Sequence, residues 1–343
     1  MQGTEHLARY KIIVLILFLF PLTFAQSYPD PHIDFLVKKG IAEIMDQKYD
    51  LASNTFLTID QAYPHLPFGK LYLTAVLITK ANDLALPLEK DKIEKLLEEA
   101  EAINDAGKEK NLLWRNYFYG MIHGYRAYYS ALEGKWFSTF TDGINAVNYF
   151  ENCLKIDSSF NEALITIGTY KYWKSVKAAW LPFFSDERSE GFHLLNKGIE
   201  KESYDYASGV VSLLWIYIDR KIPLDAITLA EKALKKYPNN RNFKWALARA
   251  YEDVDLTKAI EVHRELLTSY SGEKKMNRIN EVVLKHKIAQ DYERLGDYKN
   301  ASRLCDDILF KKKFSNYERQ VLEERLQRVL SLRQKLTSLV KEK

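Results

Sequence analysis

Two stretches of this chain superimpose at a length of 34 residues, and that self-similarity limits the fold more than any other feature of the sequence. Ala207–Asn240 carries Leu213, Tyr217, Ala226, Ala230, Ala233, Leu234 and Pro238. Val282–Ser315 carries Ile288, Ala289, Tyr292, Gly296, Ala301, Cys305, Ile308 and Leu309. Aligned from their first residues, both place a tyrosine at position 11 and an alanine at position 20. Small or apolar residues follow at positions 24, 27 and 28. Small residues at positions 8 and 20 let two helices approach closely. Bulkier ones at 11 and 24 fill the flanking space, and proline or a polar turn near 32 stops the second helix. One such unit cannot bury its own apolar face, so the units must stack.

The same frame recurs with decreasing regularity. Ile33–Leu66 supplies Gly40, Ala52, Phe56, Ile59 and Pro64, and Ala127–Phe160 supplies Gly134, Phe137, Ala146, Phe150, Cys153 and Leu154. The unit 241–281 supplies Leu247, Ala248, Tyr251, Ala259 and Leu267, one residue short at its turn. A further unit from Asn161 has Leu164, Ile167 and Gly168, then an insertion, then Gly191, Leu195 and Gly198. Between the first two frames the pattern expects a poorly matching helix pair, Phe68–Ala85 and Asp91–Asn104, and a long aromatic helix from about Leu112. Only 14 glycines and 9 prolines occur in 343 residues, below typical usage, which disfavours a many-stranded fold.

Position by position, these units resemble the tetratricopeptide repeat, a helix-turn-helix unit of 34 residues. The resemblance implies an all-α array of helical hairpins, an α-solenoid, over residues 26–315. Asn316–Lys343 differs: Leu322, Leu326, Val329, Leu336 and Val340 form one apolar stripe among charged residues. An amphipathic helix of that kind reads as a C-terminal cap over 316–343, with a dimer seam as the alternative.

The amino terminus reads as an address. Arg9 and Lys11 precede an apolar run from Ile12 to Ala25, interrupted by Pro21 and Thr23. A cationic start, a short apolar stretch and a small-residue end match a secretory signal peptide over 1–25. The run falls short of the roughly 20 residues that span a bilayer. The expectation is an exported chain, periplasmic or secreted, that meets a membrane only through the transient signal or an envelope complex. Cys153 and Cys305 fall within apolar stripes and read as small, unpaired core residues.

The chemistry-bearing residues form no recognisable catalytic or metal-binding pattern. Seven histidines are scattered, none with a second one turn away, and no phosphate loop, nucleophile elbow or calcium loop appears. A near-balance of 50 basic and 46 acidic residues argues against a nucleic-acid partner. The reading is therefore a non-catalytic scaffold without cofactor, binding a protein or peptide. The resemblance implies that positions 2, 5, 9 and 12 of the first helices line the binding groove. Carried over, these are Tyr172, Trp215, Ile218, Trp245, Arg249, Glu252, His286 and Gln290. Trp215 and Trp245 serve equally well as packing between adjacent units. The alternative function is a transporter-associated small-molecule binder with an aromatic-lined channel. The apolar, proline-broken insertion within Lys174–Arg188 reads as added core or as an exposed aromatic loop.

Overall fold

A computed structural model describes residues 27–179, 185–272, 278–310 and 313–341. Within them lie fifteen α-helices and no strand. In chain order they are α1 (Pro31–Met45), α2 (Tyr49–Ala62), α3 (Phe68–Asp83), α4 (Lys90–Asp105), α5 (Leu112–Leu132), α6 (Trp136–Ile156), α7 (Asn161–Ala178) and α8 (Arg188–Gly198). There follow α9 (Tyr206–Asp219), α10 (Pro223–Lys236), α11 (Arg241–Tyr251), α12 (Leu256–Ser271), α13 (Arg278–Arg294), α14 (Tyr298–Phe310) and α15 (Asn316–Lys341). Each odd-numbered helix up to α13 pairs with the next as an antiparallel hairpin, and each hairpin packs on its successor. The expected signal peptide lies outside the described residues.

The sequence encodes the hairpins through their ends. Asp30 accepts hydrogen bonds from the backbone of His32 (2.8 Å) and Ile33 (3.1 Å) to start α1. Asn240 does the same for α11, Asp255 for α12, and Pro223 occupies the first turn of α10. Five of the turns are built alike. The backbone N–H of Lys48, Leu86, Lys135, Ile222 and Asp297 each donates to the carbonyl five residues earlier, at 2.8–2.9 Å. The residue just before each donor has positive φ: Gln47, Ala85, Gly134, Lys221 and Gly296. Glycine takes that left-handed conformation freely, whereas Gln47, Ala85 and Lys221 hold it at a cost of about 1 kcal/mol.

Close approach within the pairs depends on small residues, as the repeat frame expects. A Cβ added at Gly40 falls 2.3 Å from the Phe56 ring, and one at Gly168 falls 2.7 Å from backbone atoms of Gly191 and Leu195. The 127–160 frame needs correction. Its turn lies at Glu133–Lys135, near the frame's eighth residue, because α5 and α6 are each 21 residues long. There Gly120, not Gly134, sits under the Phe150 ring. The Gly40–Phe56 separation of 16 residues becomes 30, as expected if two helical turns, about 7 residues, are added to each arm. Other boundaries shift less. The unit expected from Val282 has its first helix by Arg278, and α7 runs through the start of the expected insertion to Ala178. There Val176 packs against a core cluster and Ala178 is buried; 180–184 lie outside the described residues.

At the C-terminal end α15 packs on α13 and α14. Leu322, Val329, Leu332 and Leu336 are buried against Val282, Ala289, Ala301 and Cys305, with Leu326 partly so. Of the expected stripe only the side chain of Val340 lies outside the description. Cys153 and Cys305 are both buried free thiols in separate core clusters.

The chain also coils back on itself. At four of the six junctions the first helix touches the first helix of the next pair (α1 with α3, α3 with α5, α7 with α9, α9 with α11), whereas among the described residues second helices make no comparable contact. The array therefore bends toward its first-helix layer, which becomes the inner one. It bends far enough for the opening hairpins to meet the later ones. Tyr204, just before α9, donates its hydroxyl to Asp34 (2.7 Å) near the start of α1, and Asn240 donates to the Met45 carbonyl (2.7 Å) at its end. Thus α1 lies across the N-terminal ends of α9 and α11. The closure centres on Asp83, buried at the end of α3. Its carboxylate accepts from Arg241 (2.6 Å), Tyr49 (2.8 Å) and Tyr270 (3.1 Å), and its carbonyl from Asn280 (2.8 Å).

Candidate functional site

The eight residues expected to line a groove all lie on, or at the ends of, the first helices, but burial divides them by row. The row at position 9 stays open: Trp215 on α9 is 38% exposed, the Arg249 side chain on α11 is 26% exposed, and Gln290 on α13 is half-buried. These three recur once per repeat, on the helix layer toward which the array bends.

The row at position 12 is closed. Tyr172 is buried and donates its hydroxyl to Asp219 (2.6 Å), and Ile218 is buried in the core around α9 and α11. Glu252, buried at the end of α11, accepts from Lys287 (3.0 Å), while its carbonyl accepts from Arg294 (2.8 Å). At position 5, His286 is buried beside Arg325; burial, then the arginine's charge, pushes the imidazole down to about 4. Trp245 is half-buried, donates its indole N–H to the Tyr270 hydroxyl (3.1 Å) and lies edge-on to His263. Tyr172, Ile218, Glu252 and His286 are thus withdrawn from the groove. Each is claimed by a neighbouring helix: Tyr172 by α9, Ile218 by α11, Glu252 by α13 and His286 by α15. Trp245 belongs largely to the α11–α12 packing.

Two clusters arise from folding alone. In the first, Glu252, His263 and Asp291 are buried together from α11, α12 and α13. His263 Nε2 stands 3.6 Å from Glu252 and Nδ1 3.3 Å from Asp291, the latter without a hydrogen bond. Two carboxylates and an imidazole, all able to ligate a cation, meet there. Yet Lys287, Arg249 and Arg294 already stand beside the two carboxylates, at 3.0, 3.6 and 3.8 Å. The chain's own cations balance the cluster, which works as an ion network clamping three successive helices. The local sequence around each member carries no spacing that would have revealed it.

The second cluster lies on the inner layer between α3, α5, α7 and α9. Glu162, fully buried in the first turn of α7, accepts from the Tyr204 backbone N–H (3.2 Å) through one oxygen; the other has no partner. Burial, reinforced by nearby Asp205, pushes the Glu162 carboxyl up to about 8. Burial alone pushes half-buried Asp205 up to about 7. Tyrosines surround the pair. Tyr72 and Tyr117 share a hydrogen bond (3.2 Å), and burial followed by the Asp205 charge raises the hydroxyl of Tyr125. One sequence signal did exist: Glu162 is the single charged residue in Phe160–Ile167, whose other residues are apolar apart from Asn161 and Thr166. An open depression of about 610 Å³ lies between α11 and α12 and is lined by Lys244, Glu261, Arg264, Glu265, Thr268 and Ser269, none of which belongs to either cluster.

No protein-family model matches the chain, and no curated protein matches its sequence. Solved structures similar to it include the C-terminal part of a TPR repeat-containing protein from Cytophaga hutchinsonii. That protein is 17% identical, with 84% of this chain and 96% of that one covered and a TM-score of 0.41. The P58(IPK) TPR domain is 11% identical, with 88% and 98% covered and a TM-score of 0.25. Naa15/Naa10 bound to HypK gives 14% identity, 89% of this chain against 52% of the matched one, and a TM-score of 0.24. The first two are TPR repeat proteins. Among the described residues no helix is long and apolar enough to cross a membrane.

Proposed function

We propose that this chain is an exported, non-catalytic scaffold that holds a protein or peptide segment against the inner layer of its helical array, in the cell envelope or outside the cell. The observation that supports it is the open row Trp215–Arg249–Gln290, one residue per repeat, beside rows that are buried. A tryptophan and an arginine are the side chains that contribute most to protein interfaces, because each offers a large area with a polar handle. The N-terminal run to Ala25 supports export, and mass spectrometry of the exported protein should find Gln26 as the first residue.

A photo-crosslinking amino acid at position 215, and a control at Glu261 on the outer second-helix layer, tests the surface. In an envelope fraction the inner position should give a discrete adduct that the control lacks and that Gln290→Arg, at another open position of the row, weakens. Equal labelling at both positions defeats the reading. A second reading, a carrier of a small cationic ligand, draws support from the Glu162–Asp205 pair and its tyrosines. It requires an adduct-free Trp215 and a ligand whose affinity falls in Asp205→Asn.

A further inference from the structure

Exposed large apolar side chains occur singly over most of this molecule, as on any protein surface. The exception is a stretch of thirteen residues at the α5–α6 turn. Leu132 (45% exposed), Trp136 (64%), Phe137 (86%), Phe140 (45%) and Ile144 (44%) all stand in solvent there. The adjoining side of α6 holds the core residues Gly143, Ala146, Val147, Phe150 and Cys153. The apolar surface of this helix therefore runs on from its core-facing side onto the side that faces solvent. Phe137, Phe140 and Ile144 are separated by three and then four residues, the spacing of a seam between two packed helices.

We infer that this outer face of α6 is the contact between two copies of this chain, related by a two-fold axis so that α6 packs against α6 of the partner. Size favours that occupant. At about 200 Å² per large side chain, the exposed fractions leave on the order of 600 Å² of apolar surface. That is the upper end of the largest patch on a typical monomer, and close to the ~800 Å² per partner of a standard interface. A two-fold contact also needs a surface complementary to itself. Along Trp136–Ile156 the charged residues are Asp142, Glu151 and Lys155, and Asp142 already pairs with His123 at 2.9 Å. An apolar stripe with so few charges meets its own image without opposing like charges in number.

The same charge count disfavours a lipid surface. Helices that lie in a bilayer interface carry lysine and arginine on their polar face, whereas α6 has one base against two acids. At the turn, the two lysines beside the patch, Lys90 and Lys135 (2.9 Å), are both engaged by Glu133.

The test is the oligomeric state of the exported chain by sedimentation velocity and light scattering. Wild type should sediment as a dimer, and Phe137→Glu as a monomer with at least tenfold weaker association and an unchanged melt, because that ring is already in water. Thr141→Cys, between Phe137 and Ile144 on the same face, should form a covalent dimer on oxidation. A wild type that stays monomeric at concentrations revealing a Kd of about 100 µM overturns the inference. So does a dimer indifferent to Phe137→Glu. A monomer that binds anionic phosphatidylglycerol vesicles through Phe137 would assign the face to a membrane. A monomer destabilised by Phe137→Glu would mean that its own chain covers the face.

Discussion

Arg241→Met tests whether the coil of the array is held by its buried polar junction. The Arg241 and Asp83 side chains are 5% and 2% exposed, and Arg241 and Asp83 are 158 residues apart in sequence. Removing the guanidinium while keeping its aliphatic bulk leaves Asp83 buried with two tyrosine hydroxyls and no counter-charge. Breaking a pair of that kind typically costs about 3–5 kcal/mol. Burial already raises the Asp83 carboxyl against the opposing pull of Arg241, so in the variant it moves further up. A raised carboxyl favours the folded state below its unfolded pKa of about 4 and loses that advantage as pH rises. The deficit of Arg241→Met should therefore be largest at neutral pH and shrink toward pH 4. Adding Asp83→Asn removes the stranded charge, keeps an acceptor for Tyr49 and Tyr270, and should recover more than about 1.5 kcal/mol. Urea unfolding followed by circular dichroism gives the magnitude. Hydrogen exchange should localise it, with faster exchange at both 80–90 and 241–272. A cost below about 1 kcal/mol with unchanged exchange at both segments would refute the junction as the closure of the coil.

Two further outcomes follow from the packing. Glu162 and Asp205, whose carboxyls are raised to about 8 and 7, make the folded chain bind protons more readily than the unfolded one. Their contribution is present below about pH 4 and lost as pH rises through 7–8, so Glu162→Gln should raise the melting temperature at pH 8 and do little at pH 5. At the α7–α8 crossing, Gly168→Ala sets a methyl against backbone atoms at 2.7 Å. Neither helix backbone yields as a flexible side chain does, so a loss of about 2–3 kcal/mol is expected by chemical denaturation, against under about 1 kcal/mol for Gly124→Ala, which meets open space.

The helical pairs were legible in the sequence because their determinants are local. Caps such as Asp30 and Asn240, turn glycines such as Gly296, and the small-over-large pairing of Gly40 with Phe56 act within a single hairpin. The 34-residue period carries them from unit to unit. Where helix length departed from that period, in α5 and α6, the same reasoning misplaced a turn by about two helical turns, since apolar periodicity fixes the face of a helix but not its end. The groove was legible only as a set of equivalent positions. Trp215, Arg249 and Gln290, all at position 9, stay accessible, whereas Tyr172, Ile218, Glu252 and His286, at positions 12 and 5, do not, and nothing in the local sequence says which position stays open.

What separates them is curvature. The sequence by itself determined that the chain is a stack of helical hairpins closed by an amphipathic final helix, because those features depend on residues within about 34 positions of each other. Tertiary structure alone decided how tightly the stack coils. That depends on small tilts summed over successive pairs and on contacts such as Asp83 with Arg241 and Tyr204 with Asp34, made between residues that carry no mark of each other in sequence. The coil presses one row of inner residues into their neighbours and leaves another open. It also brings Glu252, His263 and Asp291 together from three helices.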